Sequence, residues 1–409
     1  MGIFEQLSSP EAWQAFLAYK RDMRHLTRKE DAELEQFIRE EGYRPVVSAA
    51  ASGAFPIPEL KLIRKSGSSA KRAVYLYPYP ENTVLKLMTF LLLRKYDAVF
   101  PDSLFSFRVR CGVNKAIRRL LSFPGIGKMY SYKADIRDYF NSIPVERLIP
   151  LMEETFGEEP ECLALLSRLL RDRRVLDCGS VVERDKGVMA GTPFAVLLAN
   201  LYLVALDREM EARGILYARY SDDIILFTGD AASRDRAGAF VEETLRQAGL
   251  SVNPEKRVTT DPGEPWSFLG IRYEQGEVDI SRVSSGKLKA KIRRRARALK
   301  RWQVRKGATD EQAVKAFIRA MNRKFFNADS SNELTWARWY FPLLTTDRTL
   351  HEVDLFLQAH LRALYSGRNR KKNYTFTYAQ MKALGYVSLR HEWYRYRADK
   401  AGYFPGTEG

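Results

Sequence analysis

Two adjacent carboxylates, Asp222 and Asp223, interrupt an otherwise apolar stretch of the chain. Residues 216–220 and 224–227 each have the composition of a β-strand, and the short connection between them predicts a β-hairpin with both acids at its tip. Two neighbouring like charges are costly to bury unless a cation or hydrogen bonds compensate. Asp is also common in solvated turns, so the hairpin permits a plain turn or a divalent-metal site.

The net charge of the chain is +17, and it is unevenly distributed. Residues 281–409 contain 28 Lys and Arg but only 10 Asp and Glu, whereas the first 280 residues are nearly neutral, with 39 basic and 40 acidic side chains. With 409 residues the chain is long enough for two or three subdomains. The distribution predicts a polyanion-binding region attached to a neutral body.

Several protein classes are disfavoured by composition. No apolar run reaches membrane-spanning length, and the first ten residues lack the charged-then-apolar pattern of a secretion signal. The three cysteines (Cys111, Cys162, Cys178) are far apart and have no metal-ligand spacing. We therefore expect a cytoplasmic protein with no membrane partner, no disulfide and no zinc site.

Local patterns predict the main elements. Capping signals place helix starts at Ser9 and Thr27, and Gly42 is expected to end the second helix. Helices are predicted over residues 82–96, 146–170, 194–212 and 231–249. Strands are predicted over residues 71–77 and 129–136, from 250 to 253, and over 266–273 paired with 278–280. Together they predict an α+β fold.

A basic amphipathic helix is predicted from Ser284 onward. Its apolar stripe comprises Leu288, Ile292, Ala296, Leu299 and Trp302, and no acid occurs between Asp279 and Asp310. A merely solvated helix usually mixes charge signs, so we expect contact with a nucleic-acid backbone; a membrane-surface helix is the alternative. The candidate contact residues are Lys287, Lys291, Arg293, Arg294, Arg295, Arg297 and Arg301.

A third carboxylate, Asp135, stands at the end of the strand predicted over residues 129–136. Acids from separate strands that meet at one place on a sheet can share two Mg²⁺ ions with substrate phosphates. Two such ions, held about 3.5–4 Å apart, activate an attacking hydroxyl and stabilise the leaving pyrophosphate. Asp135, Asp222 and Asp223 are therefore predicted to catalyse nucleotidyl transfer.

These segments together resemble the palm of a reverse transcriptase. The resemblance covers about residues 70–280 and rests on an ordered set of motifs rather than on any one of them. The motifs are residues 134–140, the loop and helix "GVMAGTPFAVLLAN" at 187–200, "RYSDD" at 219–223, "LSVNPEK" at 250–256, "FLG" at 268–270, and "LFSFRVR" at 104–110, which is similar to a fingers motif of bacterial enzymes.

The resemblance implies specific roles. Metal ligands would be Asp135, the backbone of Ile136, Asp222 and, in support, Asp223, with two Mg²⁺ ions as cofactor and Mn²⁺ as a substitute. Phe140 would lie beneath the incoming sugar and favour dNTPs, because its bulk clashes with a ribose 2′-hydroxyl. The other implied nucleotide contacts are Arg72, Arg108, Ala190, Gly191 and Lys256, and the implied primer grip is Phe268, Leu269 and Gly270.

The resemblance also implies a right-hand polymerase with a helical N-terminal extension (1–50), fingers (51–128), a palm (129–280) and a basic α-helical thumb and C-terminal region (281–409). Its implied partners are dNTPs, a DNA product and a structured non-coding RNA template. Met189 and Ala190 stand where group II intron and many retron enzymes have Pro-Gln. The segments at 334–354 and 381–394 look like the "unknown group" enzymes of antiphage defence.

Three alternatives remain open from the sequence. The first is a retron or group II intron-like enzyme. The second is an RNA-making polymerase, which Phe140 disfavours because such enzymes tend to have an acid at that position. The third, from another class, is a non-catalytic RNA-binding scaffold, which the three acids disfavour. The sequence leaves the primer and the oligomeric state open.

Overall fold

The computed structural model describes residues 1–23, 26–64, 71–109, 111–326, 336–366 and 375–398. Arg110 and residues 334–335 of the motifs above lie outside these ranges. The chain divides into two compact units, Met1–Glu264 and Pro265–Gly409. The division into extension, fingers, palm and thumb stays a prediction.

The described residues of the first unit form the strands β1 (Glu59–Arg64), β2 (Lys71–Leu76), β3 (Tyr130–Asp135), β4 (Arg174–Asp177), β5 (Ser180–Glu183), β6 (Leu216–Tyr220), β7 (Asp223–Thr228) and β8 (Val258–Thr260). Its described α-helices span Ile3–Gln6, Pro10–Asp22, Arg28–Arg39, Tyr43–Ala51, Glu81–Lys95, Val113–Leu121, Tyr139–Ser142, Val145–Phe156, Pro160–Arg171, Ala195–Tyr202, Val204–Ala212 and Ala231–Gln247. Short 3₁₀ turns occupy Asp97–Val99, Ile126–Lys128 and Pro254–Lys256.

An antiparallel sheet in the order β6-β7-β3-β8 lies at the centre of this unit. Most side chains of β3, β6 and β7 are buried, and the run from Ile224 to Thr228 is buried at every position. A strand covered on both faces needs such a continuous apolar sequence. The sheet therefore provides a rigid support for the residues at its end.

Helix Ala231–Gln247 packs on β3 because one of its residues has no side chain. A Cβ on Gly238 would lie 2.7 Å from the ring of Tyr132 on β3. The Tyr132 hydroxyl donates a hydrogen bond to Glu242 Oε1 at 2.7 Å on the same helix. Close approach and this bond fix the helix against the sheet.

A second sheet of the first unit has the order β2-β1-β4-β5. The hairpin of β1 and β2 is paired along its whole described length, whereas β1 meets β4 in parallel at one pair of residues, Glu59 and Leu176. Ala190 accepts a hydrogen bond from the Tyr75 N–H at 2.8 Å. This contact attaches the glycine-rich loop at 187–193 to strand β2.

The second unit begins with a three-stranded antiparallel sheet formed by β9 (Trp266–Phe268), β10 (Ile271–Glu274) and β11 (Glu277–Ile280). Its described helices span Arg282–Lys306, Asp310–Phe325, Trp336–Tyr340, Arg348–Ser366, Tyr378–Ala383 and Leu389–Ala398. We name the first of these the basic helix. It packs against both Asp310–Phe325 and Arg348–Ser366.

Most predicted elements are confirmed, including the acid-tipped hairpin, the capping box of Thr27 and Glu30, and the hairpin of β10 and β11. Two predicted long helices are each broken, after Phe156 and after Tyr202. The predicted strand at 250–253 is wrong, since there only Val252 forms a β-bridge, to Ile136. Trp302 is wrongly placed in the core stripe: it is partly exposed, whereas the other four residues are buried.

The mixture of helices and antiparallel sheets confirms the α+β class and is consistent with a right-hand polymerase fold. In the described part of the chain, no helix is both long and apolar enough to cross a membrane. Cys111, Cys162 and Cys178 are free thiols.

Candidate active site

The three predicted catalytic acids meet at one end of the central sheet. Strands β6 and β7 pair up to Tyr220 and Asp223, which leaves Ser221 and Asp222 as a two-residue turn. Ser221 has φ = 59°, a left-handed conformation of the kind that tight hairpin turns require. On the other side of β7, Asp135 of β3 lies directly opposite Asp223, and the Ile136 N–H donates to Asp222 O at 2.9 Å.

Two lysines accompany the acids. Lys256 Nζ lies 2.6 Å from Asp135 Oδ2, and Lys133 Nζ lies 3.9 Å from Asp223 Oδ1. Burial opposes the charged form of Lys256, but its hydrogen bond to Asp135 and the negative charge of the acids outweigh this effect and raise its pKa. Lys256 is therefore a cation at neutral pH, as its predicted position near a leaving pyrophosphate requires.

The carboxyl group of Asp222 is partly buried beside two like charges. Burial, and then repulsion by Asp223 and Asp135, raise the pKa of its carboxyl group to about 6. A backbone hydrogen bond and Lys256 offset this shift only in part. A cation bound at this carboxylate would relieve the repulsion directly.

The chemistry of these oxygen donors fits Mg²⁺, which prefers carboxylate and carbonyl oxygens. Within the described residues, no group of three or more His, Cys, Asp or Glu side chains is arranged to hold a metal ion by itself. Mg²⁺ sites of phosphoryl-transfer enzymes usually have one or two carboxylates, with substrate phosphates and water completing the shell. Asp135, Asp222, Asp223 and the Ile136 carbonyl would hold such ions, which supply Lewis-acid stabilisation of the reacting phosphate.

Some of the predicted nucleotide contacts, namely Arg72, Phe140 and the loop at 187–191, lie close together. The Arg72 guanidinium lies 5.7 Å from the ring centroid of Phe140, and Phe140 is partly exposed. Phe140 lies in the short helix Tyr139–Ser142. The loop at 187–191 is joined to this helix, because the Val188 N–H donates a hydrogen bond to Phe140 O at 2.9 Å. Ala190 N–H donates to Asn141 Oδ1 at 3.1 Å. The structure thus brings Arg72, Phe140 and the loop together, and their contact with a nucleotide stays a prediction.

A side chain on Gly191 would obstruct this arrangement. Gly191 has φ = 103°, and a Cβ there would lie 3.1 Å from Tyr75 O and 3.2 Å from the Val74 side chain. Asn141, which the sequence did not single out, also donates to Ala73 O at 3.4 Å. It therefore joins the loop to β2.

Arg108 is engaged inside the protein rather than directed to a nucleotide. Its guanidinium binds both carboxylate oxygens of Asp97 at 3.0 Å and donates to the carbonyls of Pro101 and Leu104, and its side chain is only 8% exposed. These contacts count against the predicted binding of a nucleotide triphosphate by Arg108, which stays a prediction.

The predicted primer grip belongs to the second unit. Leu269 and Gly270 form the tight turn between β9 and β10, with φ of 49° and 88°, and Phe268 is fully buried. A Cβ on Gly270 would lie 2.9 Å from Ser284 Oγ and 3.0 Å from the Tyr340 hydroxyl. The turn is therefore held within this unit, and its contact with a primer stays a prediction.

A buried polar network beneath the catalytic turn was missed by sequence reasoning. The Ser221 N–H donates to Ser106 Oγ at 2.9 Å, and this hydroxyl donates in turn to Asn200 Oδ1 at 2.9 Å. Asn200 Nδ2 donates back to Ser106 O at 2.7 Å. These contacts join the loop that contains Ser106, the helix that contains Asn200 and the hairpin of β6 and β7. They hold Ser221, the residue that precedes Asp222, in place.

The network continues into a fully buried ion pair. Arg219 Nε and Nη2 donate to the two carboxylate oxygens of Asp207 at 2.7 and 2.5 Å, and Nη2 also donates to Asn200 O at 3.1 Å. The Tyr217 hydroxyl donates to Asp207 Oδ1 at 2.9 Å. A buried pair is tolerated when its remaining groups are hydrogen-bonded. The only sequence signal was an arginine inside an otherwise apolar strand.

Comparison with known proteins identifies the family. The family model described as reverse transcriptase (RNA-dependent DNA polymerase) matches residues 63–273, about half of the chain. The chain is also 24% identical over 173 residues to the Retron Ec86 reverse transcriptase of Escherichia coli, an alignment that covers 41% of this chain and 50% of the relative. The chain therefore matches half the length of that curated protein.

Telomerases show a weaker structural likeness. The structure from Candida albicans in complex with the TWJ fragment of telomeric RNA gives a TM-score of 0.46 at 13% identity, covering 88% of this chain and 71% of that chain. Apo telomerase from Candida tropicalis, truncated from the C-terminal domain, gives 0.45 at 16% identity, covering 56% and 55%. The family assignment therefore rests on the family model and not on these structures. Because that model matches half of the chain, the chain belongs to the reverse transcriptase family.

Replacing Asp222 with Asn is expected to stabilise the metal-free protein. The pKa of this carboxyl group is raised to about 6 in the folded state, compared with about 4 in the unfolded state. Its ionised form therefore destabilises the fold above about pH 6, and this effect disappears below about pH 4, where the group is protonated in both states. In EDTA at pH 7.5 we expect the free energy of unfolding to rise by about 1–3 kcal/mol, and the gain to disappear near pH 4. Urea unfolding across this pH range measures it.

The matched control for that variant is Asp102→Asn, which changes an exposed aspartate outside the acid cluster. It should leave stability unchanged at both pH values. A destabilised Asp222→Asn protein at pH 7.5 would contradict the repulsion that we infer among the three acids.

Replacing Ser106 with Ala tests the buried network. The change leaves the Ser221 N–H and Asn200 Oδ1 without their partner, and a buried unpaired group costs about 1–3 kcal/mol. We expect that loss in urea unfolding, together with a lower kcat for primer extension. Ser122→Ala removes an exposed hydroxyl at a helix end and should change neither quantity. If the Ser106→Ala protein is as stable as wild type, the hydrogen bonds of Ser106 do not stabilise the turn.

Proposed function

We propose that this chain is an RNA-directed DNA polymerase that copies an associated structured non-coding RNA with dNTPs and Mg²⁺. The observation that carries the proposal is the meeting of Asp135, Asp222 and Asp223 at the end of one sheet, within a chain of the reverse transcriptase family. Phe140 and Arg72 are grouped beside the loop at 187–191, as recognition of an incoming nucleotide requires.

The residues of this chain have distinct tasks in that reaction. Asp135 and Asp222 would hold the ions, which would supply Lewis-acid stabilisation of the reacting phosphate, and Asp223 adds negative charge beside them. Lys256, which is already protonated and next to Asp135, neutralises charge on the pyrophosphate that leaves. The Ser106 network keeps the turn from moving as charge accumulates.

The biological setting that we propose is antiphage defence, on the basis of the sequence resemblance at 334–354 and 381–394. A retron-type enzyme is the second candidate, favoured by the similarity to the Escherichia coli retron reverse transcriptase. Sequencing the nucleic acid that co-purifies with the protein separates them, because a retron yields branched RNA-linked DNA. A plaque assay with wild type and the Asp222→Asn variant then tests defence.

Replacing Asp135 or Asp222 with Asn should abolish polymerisation. Loss of a direct metal ligand removes several kcal/mol of transition-state stabilisation, so we expect at least about a thousandfold lower kcat in dNTP extension of a primed RNA template. Asp223→Asn should lower kcat less than these two variants do, and Asp102→Asn should leave kcat unchanged. RNA binding, measured in parallel, should survive in all four. Extension by the Asp222→Asn protein at the wild-type rate would refute the proposal.

Replacing Phe140 with Ala should admit ribonucleotides. The smaller side chain removes the clash with the 2′-hydroxyl, and a change of this size in a pocket is worth roughly 10- to 200-fold in selectivity. The ratio of kcat/KM for dCTP and CTP measures the effect. Phe123→Ala removes an exposed phenylalanine elsewhere and should keep the wild-type ratio. An unchanged ratio in Phe140→Ala would exclude Phe140 as the sugar filter.

A further inference from the structure

A groove of about 840 Å³ lies in the second unit, where the basic helix ends and helix Asp310–Phe325 begins. Small residues, among them Ala316 and Ala320, leave its floor open. A volume of this size accommodates a ligand of a few hundred daltons or a short stretch of a linear polymer. None of the residues assigned above to the polymerase reaction lines it.

The walls of the groove are cationic. Lys315, Arg319 and Arg323 follow one another at intervals of four residues, so they form a row along one side of their helix, about 6 Å apart. Lys306 faces them from the end of the basic helix, and no acid is among the lining residues. Lys315 is also paired with Glu311 at 2.6 Å, outside the lining set. A row of this kind matches a linear polyanion.

An aromatic side chain stands among these cations. Trp302 lines the groove and is partly exposed, one helical turn before Lys306. An accessible indole ring between cations is the combination that single-stranded nucleic acids bind, because the base stacks on the ring and the flanking phosphates contact the charges. Bases within a duplex have both faces covered by their neighbours, so they cannot stack on it.

The groove is separate from the other charged side of the basic helix. Arg293 precedes Trp302 by nine residues, which at 100° per residue places it half a turn away. Arg293 lies 5.6 Å from the ring centroid of Phe356, and Lys289 is paired with Glu352 at 2.9 Å, so this opposite side faces helix Arg348–Ser366. The cations of the groove are therefore a different set from the contact residues predicted from the sequence.

We propose that this groove is a binding site for an unpaired segment of RNA, with a base stacked on Trp302 and phosphates held by Lys306, Lys315, Arg319 and Arg323. The site adds to the proposed polymerase function and does not depend on it. It selects single strands, whereas the opposite side of the basic helix has cations without an exposed indole.

Binding of a fluorescein-labelled 12-nucleotide poly(U) RNA to the full chain tests the site. All proteins carry Asp222→Asn, so that the result does not depend on polymerase activity. Trp302→Ala should weaken binding roughly 5- to 100-fold, and Trp302→Phe should restore most of it. The double variant Lys306→Gln, Arg319→Gln should weaken it at least tenfold and reduce the salt slope by about 1.4. Circular dichroism and thermal midpoints confirm folding.

The matched control removes two charges from the other side of the basic helix, in Arg293→Gln, Arg297→Gln. Its loss of poly(U) affinity should be several-fold smaller than that of the groove variant, and a 12-base-pair duplex should show no sensitivity to Trp302→Ala. Equal losses in both double variants, or wild-type poly(U) affinity in Trp302→Ala, would overturn the proposal. A competition experiment gives a further test. If inorganic polyphosphate displaces poly(U) equally well from wild type and from Trp302→Ala, the groove binds anions without regard to bases, and the proposal is overturned.

Discussion

The register between β3 and β7 is the constraint on which the site depends. Because Asp135 is paired with Asp223, a slip of one residue would turn Asp135 to the other face of the sheet and separate the acids. The bond from the Ile136 N–H to Asp222 O continues this pairing past the end of the strands, and burial of β7 on both faces keeps it in the core. Asp135 and the adjacent pair Asp222 and Asp223, from two distant parts of the sequence, are thereby held together although their charges repel one another.

The structure supports this repulsive arrangement from beneath and from the side. Ser106 and Asn200 bind the turn through Ser221, and the buried pair of Arg219 and Asp207 holds β6 to the helix behind it. At the side, Lys256 balances Asp135. Burial, and then repulsion by Asp223 and Asp135, raise the pKa of Asp222. A site in which like charges repel one another without cations is well suited to bind them.

Short-range patterns made the elements and the catalytic acids predictable. The hairpin needs only two apolar runs and a polar turn, and Ser9 and Thr27 cap helices through neighbours three residues away. Contacts between distant residues were not predictable from one sequence. Ser106 meets Asn200 across 94 residues, and Arg108 turns to Asp97 because a local carboxylate and two carbonyls satisfy it. The segment at 250–253 is extended but forms only one bridge, so its composition predicted too regular a strand.

The basic helix shows why charge counts require a structure before they can be interpreted. Its buried stripe of Leu288, Ile292, Ala296 and Leu299 occupies one side, which leaves the cations on the remaining surface. A rigid duplex touches one side of a helix at a time, so cations around most of the circumference exceed what one duplex needs. Trp302 is partly exposed and lines the groove together with Lys306. In the single-strand site that we propose, part of the charge excess of the C-terminal third would serve this groove rather than a duplex.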